Sequence, residues 1–440
     1  MRTKILGCLL VLVLTGCSLH PATSTPYPTP TIALAPSHTH FTPTLTEIPT
    51  ATYTATPRNT PTVPSPTSST TATCTTTGTP DKWLKNQCLE IAQTFQTEAI
   101  PGGIIALQGY GGADSYLLDL KTGNKKLLPH KSGEVPISGS VSPNGKWLAY
   151  LAYVHWTPSD SRLMIISADG KVAKTFHWKD DWRDIIGWLD NKNLLIGRIG
   201  DPLFTLIVLN PFTGDQIELL PDYPDIYTLY PFPDWGNYAV NNTVYDPTLS
   251  FVVYPSYDAI VLRNIKTSQD LTLIPKGWMY GPAPKWSPDG SQVIIASQIT
   301  TTISVSDTYI RREEIFSLSK EGEVHRLTHL TNHYSMVTIG QLSWSPNGRY
   351  IAFWLYGELN LFLIDHLAVL DTVTGIVTDY CLHGSVEGSR DPKWSPDSQQ
   401  LVIDFHEYYD THHAIMVDIV KGFAVEIAND LSPMGWMWGP

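Results

Sequence analysis

Nine consecutive residues hold the chain's densest set of groups able to move a proton or ligate an ion: Phe405-His-Glu-Tyr-Tyr-Asp-Thr-His-His413. His406, Glu407, Asp410, His412 and His413 offer imidazoles and carboxylates, the groups that serve general acid–base catalysis and metal binding. Their spacing matches no established metal motif. The stretch also falls in a connection, where a solvated loop or part of a binding surface accounts for the same residues. No metal or other cofactor is therefore assigned. Nucleophilic chemistry has less behind it: the sequence contains no Gly-x-Ser-x-Gly elbow and no Cys-x-x-Cys pair. It also lacks an Asp-x-Asp-x-Asp-Gly calcium loop.

The elements that must position such residues are repeats. Pro284-Lys-Trp-Ser-Pro-Asp-Gly-Ser-Gln-Val-Ile-Ile-Ala-Ser297 reads as a short strand, a tight turn and a returning strand. Pro288 presets φ, Asp289 bonds its local backbone, and Gly290 takes a positive φ without steric cost. The unit recurs at 342–353, 392–403 and 139–150, and in degenerate form at 187–196 and 245–254. A second signal alternates with it, an outer hairpin turn at Thr122-Gly123, Asp169-Gly170, Thr213-Gly214, Thr267-Ser268, Glu321-Gly322, Thr374-Gly375 and Lys421-Gly422. Spacings of about 50 residues suit a four-stranded blade. The seven turns predict an all-β propeller of seven blades, with six or eight as alternatives. One inner hairpin has no contiguous copy. Met434-Gly-Trp-Met-Trp438 is expected to pair with residues 104–108, joining both ends of the repeat region in one blade and leaving no unpaired seam.

Composition agrees with this. Aromatic residues make up 11 % and charged residues 16 % of the chain, a balance that suits aromatic cross-strand packing. The formal net charge of −12 argues against a nucleic-acid partner, which needs clustered Lys and Arg to neutralise phosphates.

Arg2 and Lys4 precede an apolar run from Ile5 to Leu14, too short to span a bilayer of about 30 Å. Leu14-Thr15-Gly16-Cys17 then resembles the signal of bacterial lipoproteins; an ordinary signal peptide ending near a cysteine is the alternative. The resemblance implies removal of residues 1–16 and a lipid on Cys17. It puts the protein in a bacterial cell envelope, anchored to a membrane on its extracytoplasmic side. Residues 21–80 hold 22 Thr and 12 Pro with only Glu47 and Arg58 charged. Residues 17–80 therefore read as a disordered tether, biased to polyproline II and reaching about 190 Å at most.

Residues 81–101 are expected to pack on the propeller formed by 102–440. Positions 84, 88, 91, 92 and 95 are spaced for one or two helical turns, with an extended edge segment as the alternative. Cys74, Cys88 and Cys381 remain after Cys8 and Cys17 are set aside. An exported chain could oxidise one pair, Cys74–Cys88 or Cys88–Cys381, or keep three thiols.

The Trp-Ser-Pro-Asp-Gly hairpins resemble the WD40-like repeats of TolB-type propellers, over nearly all of residues 102–438. That resemblance implies a non-enzymatic, exported binding propeller. TolB itself has six blades and a separate N-terminal α/β domain, so its partners do not carry over. Trp286, Trp344 and Trp394 share one repeat position and are expected to be packing residues. Within each blade, the first-to-second and third-to-fourth turns share one end of the ring and are short here. Longer connections at the other end carry the candidate binding face: His155, Trp156, Trp182, Tyr257, Arg311, Arg312, Tyr334, Trp354, Tyr356, Glu358, His406, Tyr408, Tyr409 and His412. The partner expected there is a protein or a cell-envelope glycan. A glycosidase or lyase with acidic and His residues at the ring's centre is the alternative; paired carboxylates would mark it.

Overall fold

The computed structural model describes residues 83–92, 102–109, 114–154, 157–179, 182–199, 204–219, 243–255, 260–273, 282–298, 312–359, 362–383, 390–406 and 412–438. Their strands form seven sheets, each with a four-stranded antiparallel core. This is the seven-bladed propeller expected from the turn spacing. Counted from the first complete sheet core in the chain, the innermost strands are Leu431–Met437 in blade 1, Glu134–Val141 in blade 2 and Trp182–Trp188 in blade 3. Val244–Tyr245, Lys285–Trp286, Met336–Trp344 and Lys393–Trp394 follow in blades 4 to 7.

Blade 1 joins the two ends. Leu431–Met437 pairs antiparallel with Ile104–Gly109, setting Ile104 opposite Met437 and Ile105 opposite Trp436. The expected closure is therefore present, and no inner edge is left exposed in this blade.

Successive side chains of a strand point to opposite faces, and in the second strand of blade 6 both faces are apolar. Ile351, Phe353 and Leu355 pack with blade 5, whereas Ala352 and Trp354 pack with blade 7. The core thus lies between neighbouring blades. The repeat's tryptophan fastens these interfaces. Indole Nε1 of Trp188, Trp286, Trp344 and Trp394 donates to Ser140 O, Val244 O, Lys285 O and Ser343 O respectively, at 3.0–3.2 Å, each on the preceding blade. These are packing residues, as their shared position suggests.

Each inner turn satisfies itself. In blade 5, Ser287 Oγ donates to Asp289 Oδ1 at 2.6 Å and accepts Gln292 N at 3.1 Å. Gly290, at φ 67°, closes the turn with its N–H on Ser287 O. The degenerate copies keep the chemistry by other means: Asp246 accepts the backbone N–H of both Ser250 and Phe251, and Asp190 those of Lys192 and Asn193.

Over its described residues, 83–92, the segment before the propeller is extended rather than helical; position 95 lies outside them. Leu84–Asn86 adds in parallel to the outermost strand of blade 6, Ile376–His383, and Ile91–Ala92 to that of blade 7, Phe423–Asn429. One or two helical turns are marginal alone, whereas an outer edge offers unpaired N–H and C=O groups to an added strand. Cys88 bonds Cys381 of blade 6. Of the open pairings, this is the one that pins the segment to a blade.

Candidate functional site

An innermost strand has one set of side chains between blades and the alternate set toward the central channel. In blades 5 and 7 that strand is the dipeptide Lys-Trp. Trp286 and Trp394 turn between blades to make the bonds above, so Lys285 and Lys393 take the channel side. Lys285 Nζ lies 2.7 Å from Asp391 Oδ2. This ion pair runs from blade 5 to the strand entry of blade 7, past blade 6. Beside it, Arg390 donates to Gln108 Oε1 of blade 1 at 3.1 Å, and the Arg390 carbonyl accepts from Trp354 Nε1 at 3.2 Å. Lys393 Nζ makes no hydrogen bond or ion pair among the described residues.

Two adjoining cavities share Asp391, Lys393 and Met434. One, of about 350 Å³, is walled also by Gly139, Gln341 and Arg390. The other, of about 210 Å³, reaches the tight-turn end of the ring, where Pro143, Pro346 and Pro396 frame it. Gly139 is required here: a Cβ on it would fall 1.9 Å from Met434 Sδ, closer than atoms can pack, so blades 1 and 2 meet at this depth only because the position lacks a side chain.

The electrostatics are those of a cation cluster. Burial opposes ionisation of Asp391, but the nearby charges of Lys285 and Lys393 and the hydrogen bond from Lys285 outweigh it, leaving its pKa below the usual carboxylate range. For Lys393, burial lowers the pKa; Asp391 opposes that shift, and Lys285 and Arg390 add to it. Three cations therefore meet one carboxylate inside a chain of net charge −12. Among the described residues, the cavity walls carry a single carboxylate, already paired, and no histidine. Retaining and inverting glycosidases need two carboxyl groups about 5–9.5 Å apart. What this arrangement can do is attract and hold a negative charge.

Other polar groups cluster among the described residues and bond to one another. Glu314 is fully buried, accepts from Leu330 N, Thr331 N and Thr331 Oγ1, and pairs with Arg326. Asp379 receives His366 Nδ1 at 3.0 Å and Cys381 N at 2.8 Å. His366, Asp379 and Cys381 lie close enough to suggest a metal set, but the Cys381 sulfur is committed to Cys88. At the seam of blades 7 and 1, Ser432 Oγ and His412 Nδ1 both bond the Asp404 carboxylate. A catalytic triad needs the serine on the histidine, so this trio is not one. His413 pairs with Glu426 at 3.0 Å.

Of the residues expected on a binding face, His155, Trp156, Tyr257, Arg311, Tyr408 and Tyr409 lie outside the described residues, as do Glu407 and Asp410 of the polar stretch. Trp182, Glu358, His406 and His412 sit at strand ends away from the tight turns, and His406 is opposite His412 in the ladder. Arg312, beside the third strand of blade 5, donates to Thr331 O at 2.8 Å. Tyr356 is half-buried against blade 7. Two expectations are corrected: Trp354 and Tyr334 are 0 % and 3 % exposed and belong to the interblade core. Trp354 lies inside the strand Tyr350–Leu359, which runs deeper into the connection than the turn signals indicate. Tyr334 does lie in a connection, after the short 3-10 turn Leu330–Asn332, but packs into the core between blades 5 and 6.

Lys285, Arg390, Asp391 and Lys393 were not among the expected residues. The signal available was the Lys immediately before Trp in two repeats, against Ser343-Trp344 in a third.

No family model matches the chain, and no curated protein matches it. Solved structures do. The chain is similar to TolB from Acinetobacter baumannii at 16 % identity and a TM-score of 0.43, over 78 % of this chain and 84 % of that one. An oligogalacturonate lyase in complex with manganese is 17 % identical with a TM-score of 0.45, over 72 % and 87 %. A periplasmic gluconolactonase of Pseudomonas aeruginosa is 13 % identical with a TM-score of 0.45, over 77 % and 99 %.

Proposed function

We propose that the protein is a binding propeller of the bacterial cell envelope, held by a lipid on Cys17 on the extracytoplasmic side of a membrane, that captures an envelope glycan or a protein. The observation that carries the binding reading is the makeup of the channel. Three cations and one paired carboxylate suit retention of an anion, and no second carboxyl group of the kind glycoside hydrolysis uses lines the cavity among the described residues. Export is supported by the Cys88–Cys381 disulfide, a bond that persists in oxidising compartments.

The test uses the full chain and its unlipidated Cys17→Ser variant. The parent should partition with membranes and the variant should not. Immobilised Cys17→Ser protein should retain a component of an envelope extract or of a glycan array without altering it. Equal membrane attachment of both forms removes the anchor from the proposal. Cleavage of the retained glycan would make the protein an enzyme, the competing reading.

A further inference from the structure

We infer that the central channel contains a built oxyanion site, in which Lys393, flanked by Arg390 and the Lys285–Asp391 pair, takes a carboxylate or phosphate group carried on a sugar-sized molecule. The inference deepens the binding proposal and rests on it. Its first support is the state of Lys393, an ammonium drawn into a narrow channel without a hydrogen bond or ion pair among the described residues. Lys393 is part-buried, and a partly desolvated ammonium gains from any anion that reaches it. Here Asp391 is committed to Lys285 at 2.7 Å, so the natural partner for Lys393 is a group arriving from the cavity.

Repetition supplies the second support. Lys285, Ser343 and Lys393 occupy one register position, each just before the interblade tryptophan. Blade 6 folds with a serine there, so the blade does not demand a lysine. Two lysines at that position of the channel wall therefore serve something other than folding.

Third, the space has the right size. Small-molecule sites occupy about 300–1,000 Å³, and the cavity walled by Arg390, Asp391 and Lys393 measures about 350 Å³. Gln341 adds a neutral polar group to the wall, suited to a hydroxyl-bearing ligand. The low pKa of Lys393, caused by burial and aggravated by Lys285 and Arg390, fits a lysine awaiting an anion that would relieve the repulsion. Asp391 sets the limit on charge: its carboxylate is committed to Lys285 and lies beside Lys393.

Isothermal titration calorimetry of the unlipidated Cys17→Ser chain, against glucuronic acid, glucose 6-phosphate and glucose, tests the site. One or both acids should bind and glucose should not. Binding of glucuronic acid alone assigns the site to carboxylated sugars, and of glucose 6-phosphate alone to phosphorylated ones. Lys393→Met should weaken binding at least about ten-fold, equivalent to about 1.4 kcal/mol, and Lys393→Arg should restore most of it. Asp391→Asn should tighten binding several-fold, a sign that a merely structural Asp391 would not give; a thermal melt identifies any variant that fails to fold. Lys121→Met, on an exposed outer turn, should behave as the parent does. The inference is overturned if neither acid binds, if glucose binds as well as the acids, or if Lys393→Met binds like the parent. An envelope component retained equally by parent and Lys393→Met would discard this site while leaving the binding proposal intact.

Discussion

The tight-turn end of the ring and the channel wall are built from the same repeats, a residue or two apart, yet they handle polar groups in opposite ways. In the turns nearly every polar atom is satisfied locally. Ser395 Oγ donates to Asp397 and accepts Gln400 N at 2.9 Å, and Ser345 does the same with Asn347 and Tyr350 N. Neighbouring turns even bond to each other, Asn144 N to Asn191 and Asn347 N to Ser398. On the channel wall the charged residues reach across the ring, as Lys285 does to Asp391 over 106 positions of sequence, or find no partner, as with Lys393. The repeat therefore separates its duties. Positions that make the turn are held to Ser, Asp, Asn and Gly by local geometry, whereas the position before the tryptophan is open to use.

The heaviest blow to that scheme would fall on neither region but on the strand that closes them. Deleting residues 431–440 removes Met434, Trp436 and Met437, exposed by 1, 4 and 0 %. Losing a buried Met or Trp side chain costs about 2–5 kcal/mol each, against a total of about 5–15 kcal/mol for a typical domain. The truncated chain should show no cooperative melt by circular dichroism. A melt like the parent's would mean that the ring does not depend on this seam.

Next in size is the covalent tie at the rim. Cys88 and Cys381 are 293 residues apart in sequence, and removing a native disulfide costs about 2–5 kcal/mol. Cys88→Ser should lower the melting temperature while leaving the channel's ligand binding unchanged. Loss of binding would join rim and channel into one functional unit and break the comparison.

The smallest effect sharpens it most. Ser395→Ala leaves the buried Gln400 N–H without its side-chain acceptor and should cost about 1–3 kcal/mol. Lys393→Met, two residues away, should cost nothing or stabilise slightly, because it removes a partly desolvated charge that makes no ion pair among the described residues. The sign follows from its lowered pKa: protonating Lys393 is harder in the folded state than in the unfolded one. That penalty is present below the folded pKa and disappears as pH rises from it toward the ordinary value of 10.5. Any stabilisation by Lys393→Met should thus be seen at neutral pH and fade in alkali, measured by urea denaturation at both. A large loss with Lys393→Met would make the lysine part of the fold.

The fold was legible because local chemistry repeats. In four repeats a proline, a carboxamide or carboxylate and a glycine or serine fix the inner turn within five residues, and a tryptophan marks four of the interfaces; counting the seven outer turns counted the blades. Closure was legible too, since Leu431–Met437 and Ile104–Gly109 each lacked the other half of an inner hairpin beside it in sequence. The channel was not. Lys285 and Asp391 meet only once the ring has closed around blade 6, and no local pattern records that distance. Trp354 shows a different limit. The run Ile351-Ala-Phe-Trp-Leu355 is buried on both faces, so alternation could not say where strand ended and connection began.

The strap on blades 6 and 7 also has a mechanical meaning. A pull on the chain ahead of Trp83 would load Leu84–Asn86 along its length, in the shear direction of its ladder with Ile376–His383. Tension that passed this ladder would stop at the covalent bond between Cys88 and Cys381. The seam in blade 1, where Ile104–Gly109 meets Leu431–Met437, would carry none of it. Under such a pull the domain would be held by one flank, and its keystone would stay out of the line of force.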